Sequence, residues 1–591
     1  VRALGPTTTR TEGYLSIDAG NRVAADGVDA ELNDGRCVAD LVAAAASSAD
    51  DDLNGAEPGA FGDELAAAGI ATSVYGSPAA IAALMDSQGC VDTYAADLPE
   101  EIPPGVTVIE LDGLSTSGTA AARVAALDRI DVELGALAVP DTTIVFVVAP
   151  NAPDDAAEVT VAAARMPVGE LRSLSSPTTR RAGYVTLSDV APTVLDIAGL
   201  EVPESMNGTV MAIAASHAED LTAQVSDAAD LSARVAFRDR AVGPVSVVMI
   251  VLLVLCAASA IGRRARQARL FAPIVVAYPS VTFLLGLAPY HHLPLDFVVV
   301  SIPVLAMVLA TVATSSLSAR GPWAPAGALA ALLWVVLVVD VVTGGRLQIN
   351  TPLGYTPTVA GRFQGYGNLS FGLVAAAAMV VAVLAAWAMP SRRTIVLGWA
   401  AWVGAITLVA DAAPRFGSDV GGTLAVLPAA VVLVSVLAGR RIGWRRATIA
   451  IGGAVVLVAA LAAIDLARPA ASRTHLGRFA DDLLHGDGGL VIRRKMRGNL
   501  SILTASAWSV VLLVLLVAVA VLAWRRRAML ADALRDRLTT RAFLAGFVTV
   551  AVLGFALNDS GIAIPGVMLT VAVPWLVSSL MPVTRRERPT A

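Results

Sequence analysis

The residues best suited to chemistry in this chain are carboxylates that interrupt its apolar second half. Asp411, Asp419 and Asp559 each lie at the end of a long apolar run. Ionisable groups at membrane depth are costly unless they are paired or hydrated, so a set gathered at one face indicates a site. In such a site a carboxylate acts as the general base, and these three are the candidate catalytic residues. Each of them could instead cap a helix or pair with an arginine.

A second set of polar residues is suited to binding a substrate. The segment 346–372 reads RLQINTPLGYTPTVAGRFQGYGNLSFG. Arginine offers forked donors to phosphate or carboxylate, and asparagine and tyrosine can orient sugar or headgroup oxygens. The alternative is a structural re-entrant loop. The candidate substrate-binding residues here and at neighbouring helix ends are Arg346, Asn350, Tyr355, Arg362, Tyr366, Asn368, Arg415, His475, Arg478 and Asn558.

Composition places these residues in a membrane protein. The chain has 591 residues, of which 56% are hydrophobic and 16% charged, and these values exclude disorder and an ordinary soluble enzyme. Residues 1–240 hold 37 of the 49 acidic residues and 13 of the 43 basic residues. An acidic soluble domain therefore precedes a basic membrane domain. Because arginine far outnumbers lysine and alanine and valine are abundant, we expect a high-GC bacterial source.

Apolar runs long enough to cross a bilayer recur after residue 243 and predict about eleven transmembrane helices. Arginine-rich connections such as 263–269, 440–446 and 525–541 all fall on one side, as cytoplasmic loops should. This assignment places the N-terminal domain outside the cytoplasmic membrane and the basic tail 584–591 inside. The predicted spans are 243–262, 270–288, 298–317, 325–344, 370–389, 394–412, 421–438, 447–466, 501–524, 541–557 and 561–581.

Two extracytoplasmic loops, 345–370 and 467–500, are part of this membrane domain, which covers 243–583. Residues 467–500 carry seven arginines and lysines on the outer side, against the charge rule. Either a span is miscounted, or the segment is an amphipathic helix attracted to anionic headgroups or an anionic substrate. An exported N-terminal domain also requires an export signal, so we expect a further helix before Val1.

The acidic part, residues 1–210, is expected to be an α/β domain. Short apolar segments, among them 13–17, 106–113, 142–150 and 184–189, alternate with alanine-rich helical stretches and predict a largely parallel sheet. Residues 211–242 are expected to be a helical stalk. Cys37 and Cys90 could pair in a disulfide or remain two buried thiols.

One segment of this domain resembles the alkaline phosphatase superfamily, which includes sulfatases and phosphoglycerol transferases. The segment is RRAGYVTLSDVAPTVLDIAGLEVPESMNG (180–208). YLSIDAGNR (14–22) is similar to the first strand of that fold, which in the family ends in a metal-binding aspartate, here Asp18. DTTIVFVVAPNAP (141–153) stands where active members have Ser-Asp-His-Gly after a strand.

The chain departs from that family at its metal ligands. The resemblance implies two divalent cations held by aspartates and histidines, but the five histidines, His217, His291, His292, His475 and His485, all lie beyond residue 210. Pro150 and Asn151 stand in place of the Asp-His pair. Without those ligands the metal-activation step has no support. We therefore expect a metal-free, degenerate ectodomain, no cofactor, and Asp18 in a turn or cap.

Four short strings in the membrane domain resemble a group of bacterial, in particular actinobacterial, polytopic proteins that carry a phosphatase-like extracytoplasmic domain. They are RFQGYGN (362–368), GSDVGG (417–422), THLGRF (474–479) and NDSGI (558–562). The resemblance implies an architecture and no reaction.

Three functions follow as hypotheses. The first is an envelope-biogenesis protein that binds or processes a lipid-linked or polymeric anionic substrate, a phosphate or glycan, at the outer face of the cytoplasmic membrane. The second is a transporter or flippase of such a precursor, and the third is an active phosphatase or phosphotransferase. The expected partners are membrane lipids and this precursor, and no motif indicates nucleic-acid binding.

Overall fold

The computed structural model describes most of the chain in two compact units. The first unit comprises Val1–Ala236 and Thr356–Phe363, and the second comprises Phe237–Tyr355 and Gln364–Ala591. The units are described one at a time. The described residues are 8–25, 30–52, 55–111, 119–151, 159–167, 172–215, 220–262, 264–358, 363–413, 415–417, 419–440, 443–467, 480, 516–517, 520, 524, 527, 531, 534, 537–558 and 561–580.

The first unit mixes short helices and short strands. Its helices are α1 (Arg10–Asp18), α2 (Ala39–Asp52), α3 (Ala60–Ala67), α4 (Ala120–Ala136) and α5 (Val190–Ile197). Two 3₁₀ helices cover Pro78–Ala83 and Leu187–Asp189. Its strands are β1 (Thr72–Tyr75), β2 (Thr93–Ala95), β3 (Val106–Ile109), β4 (Val145–Val148), β5 (Ala162–Arg165), β6 (Arg172–Ser175) and β7 (Ala212–Ala215).

These strands form three small sheets. In the first, β1 lies between β2 and β3 and pairs parallel with both, with Val74 opposite Tyr94 and Val108. The other two, β4 with β5 and β6 with β7, are antiparallel pairs. The parallel sheet expected from the sequence is therefore limited to three strands. The described residues show an α/β unit with small sheets, and the alkaline phosphatase-like fold is not confirmed.

Two segments predicted as strands are not strands in the structure. Residues 13–17 lie in α1, which begins with a capping box in which the Thr9 hydroxyl accepts from Glu12 N and the Glu12 carboxylate accepts from Thr9 N. This reciprocal cap satisfies backbone donors that a strand would have to pair elsewhere. Residues 184–189 end in the 3₁₀ helix Leu187–Asp189. The apolar run alone does not distinguish a short buried helix from a strand.

The core of the first unit is formed by α1, α2, α3, the 3₁₀ helix Pro78–Ala83 and β1. Leu15, Leu41, Leu65, Val74 and Ile81 are completely or almost completely buried within it. Burial of each such side chain contributes about 1.5–3 kcal/mol relative to leaving it in water.

Cys37 and Cys90 form a disulfide next to this core. The pairing that the sequence left open is thus a bridge in the structure, and it joins residues 53 apart in the chain.

Glu110, directly after β3, connects distant parts of the first unit. Its carboxylate accepts hydrogen bonds from Arg10 Nη1 at 2.9 Å, Tyr14 Oη at 2.8 Å and the backbone N of Ser77 at 2.7 Å. The side chain is only 4% exposed. Burial opposes its ionisation, but the bonds from Ser77, Arg10 and Tyr14 outweigh that and lower the pKa of Glu110. The carboxylate therefore links α1, β3 and the start of Pro78–Ala83.

The second unit is a bundle of long apolar helices. They are α6 (Leu221–Ile261, of which the part from Phe237 belongs here), α7 (Ala265–Leu284), α8 (Leu295–Leu317), α9 (Ala324–Val342), α10 (Asn368–Ala388), α11 (Arg393–Ala412), α12 (Val420–Leu437), α13 (Trp444–Leu466), α14 (Leu538–Leu557) and α15 (Ala563–Leu580). Three 3₁₀ helices, Leu285–Leu287, Tyr290–His292 and Ser318–Arg320, lie in its loops.

Within the described residues, nine helices are long and apolar enough to cross a membrane, which fits a multi-pass membrane protein. They coincide with nine of the eleven spans predicted from the sequence. The span expected at 447–466 coincides with α13, of which Ile451–Leu466 forms a shorter apolar helix. The span at 501–524 lies largely outside the described residues.

Burial separates central from peripheral helices in this bundle. In the most apolar 18 residues of α10, 83% of the residues are buried. In the corresponding stretch of α8 only 22% are buried, and Phe297, Val304 and Val308 of α8 are exposed. A helix that is apolar on all sides but exposed on one is typical of a membrane span facing lipid. The central α10 is followed by α11 and preceded by the polar loop that the sequence analysis singled out.

The stalk differs from expectation at its start. Residues 212–215 form β7, which pairs with β6, so this part of the expected stalk belongs to a sheet of the first unit. The helical part begins at Leu221 and continues without interruption into the first span as α6.

Candidate functional site

The first turn of α12 is the centre of the candidate site in the second unit. Asp419 is the N-cap residue of this helix, and its Oδ1 accepts from Gly422 N at 3.0 Å. The backbone oxygen of Asp419 accepts from both N and Oγ1 of Thr423, at 3.0 and 2.7 Å. Asp419 is 6% exposed, and its Oδ2 has no hydrogen-bond partner among the described residues. One carboxylate oxygen of Asp419 therefore caps the helix, and the other is buried without a hydrogen-bond partner among the described residues.

Asp411, in the last turn of α11, meets the same turn. It is completely buried, and its Oδ2 accepts from Thr423 Oγ1 at 3.2 Å. The two aspartates are also joined through the backbone, because Asp419 N donates to Asp411 O at 3.0 Å. A Cβ atom on Gly422 would lie 2.6 Å from Asp411 Oδ2, so only glycine leaves room for this carboxylate.

Asn558, the C-cap residue of α14, is the third polar residue next to the first turn of α12. It is 5% exposed, and its Nδ2 has no partner among the described residues. A Cβ atom on Gly421 would lie 3.2 Å from Asn558 Oδ1 and 2.8 Å from the carbonyl oxygen of Leu557. The ends of α11 and α14 and the start of α12 thus converge, and we call Asp411, Asp419, Thr423 and Asn558 the carboxylate cluster.

Three of the four motif strings meet at this cluster through glycine. A Cβ atom on Gly365 would collide with the carbonyl oxygen of Gly417, and one on Gly417 would collide with that of Asp411. Gly365 has a φ of +76°, a conformation that favours glycine. RFQGYGN, GSDVGG and NDSGI are therefore brought together, whereas THLGRF lies outside the described residues.

The loop between α9 and α10 folds onto the bundle. Asp340, near the end of α9, accepts from Leu347 N at 2.7 Å and from Gln348 Nε2 at 3.0 Å. Asn350 N donates to Tyr355 O at 2.7 Å, and Asn350 adopts a φ of +58°, which asparagine tolerates better than most residues. Asn350 and Tyr355 are both buried, so this part of the loop has the contacts of a structural element.

Two residues that the sequence analysis did not select support the same loop. Arg238 of α6 donates through Nη2 to the carbonyl oxygen of Gly354 at 3.2 Å and through Nε to that of Thr351 at 3.4 Å. Tyr290 donates its hydroxyl to the carbonyl oxygen of Asn350. No sequence pattern identifies either residue, because each donates to backbone carbonyl oxygens that are distant in the chain.

Tyr366 connects the loop to the cluster. Its side chain is completely buried and its hydroxyl donates to Leu337 O at 3.3 Å. Burial, followed by the charges of Asp411 and Asp340, raises the pKa of Tyr366 well above its usual range. The phenol therefore remains a neutral hydrogen-bond donor.

The other candidate residues are less clearly part of one site. Arg346 and Arg415 are exposed, and Asn368, the first residue of α10, is half-buried. Arg362, Asp559, His475 and Arg478 lie outside the described residues. The described candidates that converge are therefore Asp411, Asp419, Asn558 and Tyr366.

In the first unit, Asp18 ends a helix instead of a strand. Its Oδ2 accepts from Gly59 N, directly before α3, and the residue is completely buried. Burial raises the pKa of Asp18 well above its usual range, against the hydrogen bond from Gly59.

Asp189, within the segment 180–208, is engaged in local structure. Its Oδ1 accepts from Thr178 Oγ1 and Thr209 N, both at 2.9 Å, and its Oδ2 accepts from Thr186 N at 2.8 Å. The carboxylate thereby holds together the turns that flank β6 and α5.

No protein-family model, no curated protein and no solved structure matches this chain.

Proposed function

We propose that this chain is a membrane protein of envelope biogenesis that binds or processes a lipid-linked or polymeric anionic substrate, a phosphate or glycan, at the outer face of the cytoplasmic membrane. The observation that supports it is the convergence of three polar motif strings around the first turn of α12. Plain connectors between spans have no need for two buried aspartates that share the hydroxyl of Thr423 as a hydrogen-bond donor.

The carboxylate cluster offers the groups that recognise hydroxyls. Asp419 Oδ2 is a buried acceptor and Asn558 Nδ2 a buried donor, each without a partner among the described residues. Most buried polar groups in native proteins have a partner, so a pair that does not is suited to a ligand. A sugar hydroxyl donates to a carboxylate and accepts from an amide, and a carboxylate within reach can also remove its proton.

The charged part of the substrate would be bound by arginine. Arg415 is exposed and lies four residues before Asp419 in the chain, and Arg346 is exposed at the start of the polar loop. Guanidinium groups bind phosphate through paired hydrogen bonds. Arg362, His475 and Arg478 remain candidates for the same role.

The phosphatase-like ectodomain would be a binding or scaffold module. The hydrogen bond from Gly59 N to Asp18 and those that Asp189 accepts from Thr178, Thr186 and Thr209 support this part of the proposal, because they are structural contacts. We infer an accessory role for this unit in place of metal-dependent hydrolysis.

Lipid binding by the purified full-length chain tests the proposal. Polyprenyl-phosphate and polyprenyl-phosphate-sugar lipids would be titrated in nanodiscs and followed by native mass spectrometry. We expect Arg415→Ala to weaken binding by about tenfold or more, because a hydrogen bond to a charged group contributes about 1.5–3 kcal/mol. Arg320→Ala, which removes an exposed arginine from a loop between α8 and α9, is the matched control. Equal binding by both variants would contradict the proposed site.

Transport of the same precursor is a second candidate, favoured by prolines inside the spans. Such prolines occur in α6, α7, α8, α12 and α15. Each proline removes one backbone hydrogen bond and makes its helix easier to bend, as moving helices require. Lipid translocation in proteoliposomes without a covalent product would favour transport over processing.

A further inference from the structure

Part of the polar loop between α9 and α10 belongs to the first unit. Residues 356–363 group with that unit, whereas the loop on both sides of them belongs to the second. Thr356, Thr358 and Phe363 are each no more than 4% exposed, and the hydroxyls of the two threonines are hydrogen-bonded to each other at 3.2 Å. The first unit therefore buries a segment of a loop that begins and ends in the second unit.

Two residues in the turn after β6 hold this segment at Phe363. Arg181 Nε donates a hydrogen bond to the carbonyl oxygen of Phe363. The ring of Tyr184 meets the ring of Phe363 edge to face, with 5.9 Å between the ring centroids, and Tyr184 is 6% exposed. A charged donor forms a stronger hydrogen bond than a neutral one, and an edge-to-face aromatic pair adds to the gain from burial. Phe363 is thus held through both its backbone and its side chain.

The turn that carries Arg181 and Tyr184 is itself fixed. Thr179 is completely buried, and its hydroxyl donates to the carbonyl oxygen of Tyr184 at 2.7 Å and accepts from Arg181 N at 3.3 Å. Arg180 has a φ of +54°, a left-handed conformation that is unfavourable for a residue other than glycine. Such conformations persist only where the surrounding contacts enforce them, and they cluster at functional turns.

The chain continues from Phe363 directly into the candidate site. A single residue separates Phe363 from Gly365, and a Cβ atom on Gly365 would collide with the carbonyl oxygen of Gly417. Tyr366, the next residue, is completely buried. Two successive peptide units extend over about 7 Å at most, so the position of Phe363 limits the position of Gly365.

We propose that Arg181 and Tyr184 are positioning residues for the candidate site. By anchoring Phe363, they hold the string RFQGYGN (362–368) at the carboxylate cluster. The first unit then has a defined task, which is to fix a loop of the membrane domain, and the segment 180–208 supplies the anchor. That the anchor serves substrate binding rests on the proposed function, but the anchoring itself can be tested without substrate.

Hydrogen exchange of the purified full-length protein in detergent, followed by mass spectrometry, tests the anchor. Arg181→Ala removes the hydrogen bond, and Tyr184→Leu removes the ring contact but retains an apolar side chain. We expect each variant to speed exchange at the amides of 364–368 by about tenfold or more and to leave the amides of β1 unchanged. Arg36→Ala is the matched control, because Arg36 also donates to a carbonyl oxygen of the first unit, that of Asp92 at 3.2 Å.

Two results of this experiment would overturn the proposal. Unchanged exchange at 364–368 in both variants would show that Phe363 does not position the string. An equal increase in exchange at β1 would show that Arg181 and Tyr184 stabilise the whole first unit and have no particular role in the loop.

Binding of polyprenyl-phosphate lipids by the same variants separates this inference from the proposed function. We expect binding to weaken in the variants whose loop exchanges faster. If such variants bind the lipid as the wild type does, the proposed function is retained and the positioning role is rejected. If the loop exchanges faster but the wild type binds no such lipid, the anchor is retained and the proposed function is rejected.

Discussion

Substitution of Gly422 by alanine is the sharpest test of the carboxylate cluster. A Cβ atom at this position would lie 2.6 Å from Asp411 Oδ2 and 2.7 Å from Cε2 of Phe371. Contacts this short force neighbouring groups to move, and overpacking of this kind costs about 1–3 kcal/mol. Alanine is better than glycine within a helix by about 1 kcal/mol, although less so in the first turn. The net effect should be destabilising or neutral.

Gly398→Ala is the matched control. Gly398 lies within α11, and no heavy atom lies within 4 Å of the position its Cβ would take. This variant should gain helix propensity without a clash, so the two variants should differ by about 1–3 kcal/mol. One kcal/mol corresponds to about 2–4 °C in a domain of 150–250 residues and to less in a larger one. Gly422→Ala should therefore unfold a few degrees below Gly398→Ala.

The assay is thermal unfolding of the wild type and the two glycine variants in detergent. If the reasoning is right, Gly422→Ala unfolds at a lower temperature than Gly398→Ala, because the new methyl group displaces the Asp411 carboxylate. If Gly422→Ala is as stable as Gly398→Ala, Asp411 does not pack against the first turn of α12, and the proposed carboxylate cluster is refuted.

Three further predictions concern the first unit. Glu110→Gln should destabilise it by about 2–4 kcal/mol, since a buried carboxylate loses its charge while its donors remain, and should increase hydrogen exchange at the Ser77 amide. Because the pKa of Glu110 is lowered, the stability of the wild type should fall as the pH drops below about 4.3, the ordinary pKa of glutamate. An equally steep fall in the stability of Glu110→Gln would contradict this. Burial raises the pKa of Asp18, so its ionisation lowers the stability of the folded protein as the pH rises above about 3.9. Asp18→Asn should therefore unfold at or above the wild-type midpoint at pH 7. A clear loss of stability in this variant would instead favour a role for the charge. Reduction of the Cys37–Cys90 bridge should lower stability by about 3–4 kcal/mol, measured by unfolding with and without reductant after non-reducing mass mapping, and free thiols in the native protein would refute the bridge.

Helix positions in the membrane domain were predictable, because their signal is local. A span requires about twenty consecutive apolar residues, and in the described part of the chain nine such helices coincide with the predicted spans. The first unit was less predictable. Residues 13–17 form part of α1 instead of a strand, since the capping box at Thr9 and Glu12 favours a helix that an apolar run alone does not indicate.

The candidate site shows the same division. Asp411, Asp419 and Asn558 could be selected as polar residues at the ends of apolar runs. Arg346 and Arg415 were selected for charge, but they are exposed, and exposure depends on how the loops fold. Arg238 was missed because its bonds are to the carbonyl oxygens of Thr351 and Gly354, more than 100 residues away.

The sequence by itself determined that an acidic unit precedes a set of membrane-crossing helices, because charge and apolar length are properties of short segments. Only the tertiary structure decided which polar residues meet. Asp411, Asp419 and Asn558 come from three helices, and their convergence depends on glycines at 417, 421 and 422 that permit close approach of backbone and side chain. Such contacts are set by the packing of helices far apart in the chain, which no local pattern of residues encodes.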